Sequence, residues 1–195
     1  MLALLFTAPL PLSAQEKKKM TRKEKEAAWR AERLKKRAME EMEELHNDSI
    51  AFAQAVDALR NGSWALEASN VTFDNGVTRF VTQSTNFVSV NNGQGIVQTA
   101  LNNSNINSPN GLGGITLEGR VNSEEIQTDK EGNIYLNYSI QGADISATVS
   151  VVITAHTNQA TATVNPNFSS RTMTMSGYIY PYSTSGIIEG TSGYY

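Results

Sequence analysis

Residues 107–121 read Asn-Ser-Pro-Asn-Gly-Leu-Gly-Gly-Ile-Thr-Leu-Glu-Gly-Arg-Val, a turn rich in Pro, Asn and Gly that runs directly into an alternating segment. The glycines permit backbone angles that other residues resist. In the alternating segment, Ile115, Leu117, Gly119 and Val121 fall on one face of an extended chain, and Thr, Glu and Arg lie between them on the other. This stretch therefore predicts a β-strand that begins at a tight turn.

Most of the chain after Gly62 repeats this alternation, in short segments separated by Asn, Gly, Asp and Ser. The clearest segment, residues 144–156, places Ala, Val and Ile on one face and mostly Thr and Ser on the other, and residues 160–164 continue the pattern as its hairpin partner. The fold class is therefore mainly β. The predicted strands are residues 64–73, 77–82, 87–91, 95–100, 114–123, 134–140, 144–156, 160–164 and 171–180.

Three connections between these segments have the composition of tight hairpin turns. They are residues 74–76 (Asp-Asn-Gly), 91–93 (Asn-Asn-Gly) and 131–133 (Glu-Gly-Asn). Asn and Gly suit such turns because they tolerate positive φ. Consecutive hairpins build an antiparallel up-and-down meander, and closing the sheet removes its exposed edges. We therefore expect a meander that closes into a small barrel or a curved sheet.

The N-terminal part of the chain has a different composition. Residues 16–46 hold 11 Lys and Arg against 8 Glu, whereas residues 47–195 hold 5 against 11 Asp and Glu. Residues 16–45 contain no Gly or Pro and are strong helix formers, with a capping box at Thr21 and Glu24. They predict a long charged helix with a thin apolar stripe at Ala27, Ala31, Leu34, Ala38, Met42 and Leu45.

This charged helix has two functional interpretations. The interspersed glutamates favour a solvated single helix or a loose coiled-coil tether. The alternative is a basic helix that binds an anionic lipid or polymer.

The sequence His46-Asn47-Asp48-Ser49 predicts an interruption of this helix, because Asn, Asp and Ser are N-cap residues. A second helix should follow, dock on the β-domain through an apolar face, and end at Gly62. The residues expected on that face are Ile50, Phe52, Ala53, Val56 and Leu59. The segment Asp48-Ser49-Ile50 also resembles a bacterial O-glycosylation motif, the alternative to a helix cap.

Residues 1–15 are typical of a secretory signal, with an apolar run before a Lys-rich segment, and the alternative is an apolar tail that is not cleaved. The expected organisation is a signal-like segment at 1–15, a charged helical arm at 16–46, and a helix plus β-domain at 47–195.

No later segment approaches the ~20 apolar residues of a membrane helix, so we expect no transmembrane segment in the mature protein. The chain has no Cys, which excludes disulfides, thiolate zinc sites and cysteine catalysis.

Several segments together resemble the domain of unknown function 4251 family. The resemblance covers roughly residues 50–190. It implies a lipocalin-like antiparallel barrel or a strongly curved sheet, with an N-terminal helix against it, and export from a Gram-negative gut bacterium, but no activity or catalytic residues. The matching segments are residues 64–68 (Trp-Ala-Leu-Glu-Ala), 86–90 (Asn-Phe-Val-Ser-Val), 96–98 (Ile-Val-Gln), 110–119 (Asn-Gly-Leu-Gly-Gly-Ile-Thr-Leu-Glu-Gly) and 160–164 (Ala-Thr-Ala-Thr-Val).

Candidate sites for chemistry are sparse. The two histidines, His46 and His156, lie in no nucleophile motif, and we interpret them as surface residues. The segment 129–133 has the alternating oxygen side chains of a calcium loop but lacks the full pattern, so it reads as a hairpin turn. The segment 111–114 is Gly-rich but precedes a strand instead of the helix that a phosphate loop requires. The expectation is therefore no catalytic, cofactor-binding or metal-ligating residue.

The acidic β-domain also argues against nucleic-acid binding, since its aromatic residues are not interleaved with Lys or Arg. We interpret them as interior residues. The expected function is a non-enzymatic binding or scaffolding domain in the periplasm or cell envelope, with a small apolar-ligand carrier as the alternative. The partner would be an envelope component or a small apolar ligand. The aromatic residues are Phe87, Tyr135, Tyr138, Tyr178, Tyr180 and Tyr182.

Overall fold

The computed structural model describes residues 20–101, 111–142, 146–167 and 171–190. Within these ranges the chain forms a helix, nine strands and two 3₁₀ turns, at Gln83–Thr85 and Tyr182–Thr184. The fold is mainly β, as predicted. The elements are α1 (Arg22–Arg60), β1 (Ser63–Phe73), β2 (Thr78–Phe80), β3 (Phe87–Asn91), β4 (Gln94–Ala100), β5 (Gly114–Thr128), β6 (Ile134–Gln141), β7 (Ser146–Ile153), β8 (Gln159–Pro166) and β9 (Met173–Pro181).

The strands close into an antiparallel barrel. Neighbouring strands pair in the order β1-β3-β4-β5-β6-β7-β8-β9. Strand β9 also pairs with β1, which closes a barrel of eight strands. Strand β2 lies outside this ring and pairs with the end of β1, where Asn70 is opposite Phe80. The predicted up-and-down meander and its closure into a lipocalin-like barrel are confirmed.

Strands β5 and β7 differ most in length from the prediction. Strand β5 continues to Thr128 because a bulge between Asn122 and Glu125, with Ser123 at φ 55°, bends it without ending its pairing with β6. Strand β7 ends at Ile153 instead of residue 156. His156 adopts φ 63° within the turn that leads to β8, so its predicted place on a strand face is wrong.

The barrel interior is packed with apolar side chains. Strand β7 shows the expected alternation, since Ala147, Val149, Val151 and Ile153 are buried. Ile115, at the start of β5, is 55% exposed, whereas Leu117 on the same strand is buried. The largest interior side chains are Trp64, Leu66, Leu136, Tyr138, Ile140, Ile153, Met175 and Ile179.

The helix α1 is continuous from Arg22 to Arg60, so the predicted interruption at His46–Ser49 is wrong. Asn, Asp and Ser each cost less than about 1 kcal/mol in a helix interior, and strong helix formers flank them here. Ser49 is therefore a mid-helix residue and does not cap a helix. The capping box at the N-terminus is confirmed: Thr21 N donates to Glu24 Oε2 at 2.7 Å, and Glu24 N donates to Thr21 Oγ1 at 3.3 Å.

The chain divides into two compact units between Glu43 and Glu44. In the first unit, the described residues 20–43 are all exposed helix or its N-terminal flank. The second unit contains the end of α1 and the barrel. Within the described ranges, no helix combines the length and the apolar character needed to cross a membrane.

The end of α1 docks on the barrel through part of the predicted face: Phe52, Val56 and Leu59 pack against the core, but Ile50 and Ala53 are exposed. Ile50 is 45% exposed, whereas Ala55, Ala58 and Leu59 are buried in the barrel core. The small alanines permit a close approach of the helix backbone. Phe52 does pack against the core as expected, and its ring lies 6.2 Å from that of His156 in the β7–β8 turn. The helix therefore lies at the end of the barrel that carries this turn.

Candidate functional site

A polar groove lies on the outer surface of the barrel where β1, β9 and β8 run side by side. Its volume is about 240 Å³. It is on the outer surface because Thr161 and Ser176 alternate with the core residues Ala162 and Met175. The groove is lined by Ser69, Asn70, Thr154, Gln159, Ala160, Thr161, Ser176, Gly177 and Tyr178.

A bulge in β1 shapes this groove. The pairing of β1 with β9 shifts between Ala68 and Asn70, which leaves Ser69 as an extra residue. The Ser69 hydroxyl donates to the carbonyl of Ser176 at 3.1 Å, and the hydroxyls of Ser176 and Thr161 lie 3.2 Å apart. These bonds fix the hydroxyl groups on three adjacent strands.

The groove lining contains no Asp, Glu, Lys, Arg or His. Its polar groups are hydroxyls and carboxamides, which both donate and accept hydrogen bonds. Tyr178 adds an amphipathic aromatic ring. Such a surface matches an uncharged ligand rich in hydroxyl or amide groups. It offers neither the nucleophile–base pair of a hydrolase nor the ligand set of a metal ion.

The barrel interior is the second place to look for a site, and bulky side chains occupy it. Trp64 and Tyr138 are at most 2% exposed. The indole Nε1 of Trp64 and the hydroxyl of Tyr138 are buried without a hydrogen-bond partner. Burial, with a smaller contribution from Glu124, raises the pKa of the Tyr138 hydroxyl far above its ordinary value of 10, so the group is neutral.

The segment after β9, residues 182–190, lies across the outer wall next to the groove, over β1 and β4, and we call it the strap. The buried side chain of Gln98 donates to the carbonyl of Ile188 at 2.9 Å. Gly186 N donates to the Glu67 carboxylate at 2.5 Å. These bonds hold the strap over outward-facing residues of β1 and β4. This part of the outer wall is therefore covered, while the groove is open.

Comparison with known proteins places these features in a family. The family model described as "Domain of unknown function (DUF4251)" matches residues 46–179. This chain belongs to the DUF4251 family. It is also similar to a solved structure titled as a DUF4251 family protein from Bacteroides eggerthii DSM 20697, with 47% identity, a TM-score of 0.63, and coverage of 72% of this chain and 94% of the other. Comparison with curated proteins gives no match.

In this DUF4251 protein, the two histidines that the sequence singled out lie on different elements. His156 lies in the β7–β8 turn, and His46 is on the exposed surface of α1. Among the described residues, no three His, Asp or Glu side chains are close enough together to hold a metal ion. The signal-like segment and residues 107–110 of the Gly-rich motif lie outside the described residues.

The segment Asp129–Asn133 forms a hydrogen-bonded hairpin turn. The Asp129 carboxylate accepts bonds from Glu131 N at 2.9 Å, from Asn133 N and Asn133 Nδ2 at 2.8 Å each, and from the Tyr135 hydroxyl at 3.2 Å. These bonds, that of the Asn133 side chain first, hold the pKa of Asp129 below its ordinary value of 3.8. The carboxylate is thus engaged in holding the turn.

The glycines of the DUF4251 motif have separate structural roles. Gly111 and Gly113 adopt φ 69° and 88°, the left-handed region that glycine favours. Gly114 has no room for a side chain, since a Cβ there would lie 1.7 Å from the carbonyl oxygen of Thr99. The motif therefore builds the entry to β5.

The aromatic residues are not all interior, contrary to the sequence interpretation. Tyr138 is buried in the core, but Tyr135 and Tyr180 are 37% and 36% exposed, and Tyr178 lines the outer groove. They alternate with core residues on their strands and so face outward. Sequence reasoning missed the groove because polar residues at outward positions are ordinary on exposed sheets, and nothing in the local sequence indicates the bulge at Ser69.

Proposed function

We propose that this protein is a non-enzymatic, exported binding protein of the cell envelope, whose outer groove holds an uncharged, hydroxyl-rich ligand of the saccharide class. One observation carries the proposal: the groove on β1, β8 and β9 is lined by hydroxyl and carboxamide side chains with no Asp, Glu, Lys, Arg or His. Neutral polar groups fixed on strands recognise neutral polar partners through paired hydrogen bonds.

The size of the groove limits what it holds. Its volume of about 240 Å³ is below the roughly 300–1,000 Å³ of typical small-molecule sites. One sugar ring, part of a longer glycan, suits it better than a whole cofactor. The polar surface around Tyr178 would allow the rest of the glycan to continue along the barrel wall.

Carriage of a small apolar ligand inside the barrel is the alternative function. The interior argues against it, because Trp64, Tyr138 and Met175 occupy the space that such a ligand would need. The two unpartnered polar atoms, on Trp64 and Tyr138, also suit a hydrocarbon ligand poorly. Native mass spectrometry of the protein purified from its own host should find no bound apolar molecule.

Export is part of the proposal and rests on the sequence of residues 1–15. Fractionation of the native host should recover the protein with the periplasm or envelope. Recovery of most of it from the cytosol would overturn this part.

The binding proposal is tested with a groove-blocking variant and a matched control. Thr161→Trp places a large ring in the groove, whereas Thr163→Trp places it on the same strand and the same outer face, at a residue that does not line the groove. Isothermal titration of the full chain with neutral oligosaccharides from the host envelope should give binding that T161W abolishes and T163W retains. Equal binding by all three proteins, or binding of only charged polymers, would contradict the proposal.

A further inference from the structure

We propose that residues 22–48 of α1, which we call the arm, are the binding surface for a second copy of this chain, packed antiparallel to the first. The distribution of charge along the arm favours another copy of the same helix as its partner. Residues 22–37 contain eight Lys and Arg and three Glu, whereas residues 38–48 contain five Asp and Glu and no Lys or Arg. Two such helices packed antiparallel place each basic half beside the acidic half of the other copy.

The apolar stripe of the arm has the same symmetry. At 100° per residue, Leu34, Ala38 and Met42 lie on one helix face, and this face is exposed: Leu34 is 65% and Met42 71% accessible. The stripe is centred on Ala38, with Leu34 four residues before it and Met42 four residues after it. An antiparallel pair centred there packs Leu34 of one copy against Met42 of the other, with the two small Ala38 side chains in contact.

The flanks of the stripe fit this orientation. Arg37 and Glu41 lie on the same side of the stripe, and facing helices in an antiparallel pair bring equivalent flanks together. Arg37 of each copy then lies beside Glu41 of the other. Neither residue takes part in the ion pairs Arg22–Glu26 and Lys36–Glu40 within the helix.

A depression on the arm lies on the side of the apolar stripe that carries Arg37. It is lined by Arg30, Arg33, Leu34 and Arg37, which are spaced i, i+3, i+4 and i+7, and has a volume of about 280 Å³. At 100° per residue, its three arginines lie about 40–100° from Leu34, on the side away from Ala38. Three arginines make its rim positive, so it is complementary to the acidic half of an antiparallel second copy.

Cysteine cross-linking tests both the contact and its direction, because the chain has no Cys of its own. A disulfide needs Cα atoms roughly 4.4–6.8 Å apart. In the antiparallel pair, Ala38→Cys lies opposite itself, whereas Leu34→Cys lies about 12 Å along the helix from its own equivalent, since eight residues rise about 1.5 Å each. Full-length A38C should therefore form a disulfide dimer under mild oxidation. L34C alone should not, and L34C mixed with M42C should form a heterodimer.

The salt dependence of dimerisation and the exchange of the charges at Arg37 and Glu41 give a second test, which needs no oxidation. By sedimentation velocity, dimerisation of the full chain should weaken as salt rises from about 0.01 to 1 M, since the Debye length falls from about 30 to 3 Å. Arg37→Glu or Glu41→Arg alone should weaken it, and the double variant should restore it. A monomer at all concentrations, a self-linked L34C dimer, or no rescue by the double variant would overturn the proposal. These positions are exposed, so circular dichroism should show unchanged folding.

Discussion

Trp64 and Tyr138 meet edge to face inside the barrel, with their ring centroids 6.1 Å apart and their ring planes at 83°. They come from β1 and β6, which are not neighbours in the sheet, so this contact spans the interior. Edge-to-face aromatic pairs contribute about 0.5–1.5 kcal/mol beyond the area they bury. The pair therefore fills and stabilises the centre of the barrel, although the indole Nε1 of Trp64 and the hydroxyl of Tyr138 have no hydrogen-bond partner there.

Removing the Tyr138 hydroxyl tests whether this interior holds anything else. A buried polar group without a partner costs about 1–3 kcal/mol, so Tyr138→Phe should leave the free energy of unfolding unchanged or raise it by up to that amount. Urea denaturation measures the difference. The control is Tyr135→Phe, which removes a hydroxyl that does have a partner in Asp129. If Y138F were destabilised by more than about 1 kcal/mol, a bound molecule or water must satisfy the hydroxyl.

Gly114 should be the least replaceable residue of the family motif. A Cβ at this position would lie 1.7 Å from the Thr99 carbonyl oxygen on the paired strand β4, and a backbone atom cannot move aside as a flexible side chain can. Gly114→Ala should therefore lower the free energy of unfolding by more than about 4 kcal/mol or prevent folding. Gly186→Ala is the control, because its Cβ would lie an ordinary 3.6 Å from Glu67. Equal stability of the two variants would contradict this account of β4 and β5.

The arm and the end of α1 should contribute differently to stability. Residues 20–43 are exposed, so deleting residues 1–43 should shift the melting temperature by no more than about 2–4 °C, the effect of 1 kcal/mol in a domain of this size. Leu59 is 1% exposed in the core, and Leu59→Ala should cost about 2–5 kcal/mol.

Ile50→Ala is the matched control for Leu59, because it removes a similar side chain from an exposed position of the same helix. Its effect should be small. The assignment of the docking face would be wrong if I50A destabilised the protein as much as L59A, or if the truncated chain failed to fold.

Asp129 should make stability depend on pH in the acid range. Hydrogen bonds from Asn133 hold its pKa below 3.8 in the folded protein, so the stabilisation is fully present above that value and is lost as the pH falls through the folded pKa. The difference in melting temperature between the wild type and Asp129→Asn should be largest near pH 6–7 and shrink below about pH 4. A difference that grew as the pH fell would have the wrong sign for this mechanism.

Much of the fold was readable from the sequence, because the barrel is built from local hairpins. The alternation at Ala147, Val149 and Val151 predicted β7, and the Asn-Gly turn at Asn92 predicted the connection of β3 to β4. The helix interruption failed for a physical reason: the capping preference of residues such as Ser49 is a local effect that flanking helix formers outweigh.

The candidate site was not readable from the sequence. It depends on the bulge at Ser69 and on the closure of β9 onto β1, which brings Ser176 beside a strand more than one hundred residues earlier in the chain. Local periodicity carries no information about such a contact. The groove is therefore visible only once the barrel is assembled.

The central claim is that binding occurs in the outer groove and that the barrel interior is occupied by side chains. The most direct test is a ¹H–¹⁵N correlation spectrum of the full chain titrated with neutral envelope oligosaccharides. We predict shifts at the amides of Asn70, Thr161 and Ser176, with the indole N–H signals of Trp64 in the interior and Trp29 on the arm unchanged. A ligand that shifted the Trp64 indole signal and left the groove amides unmoved would contradict the account.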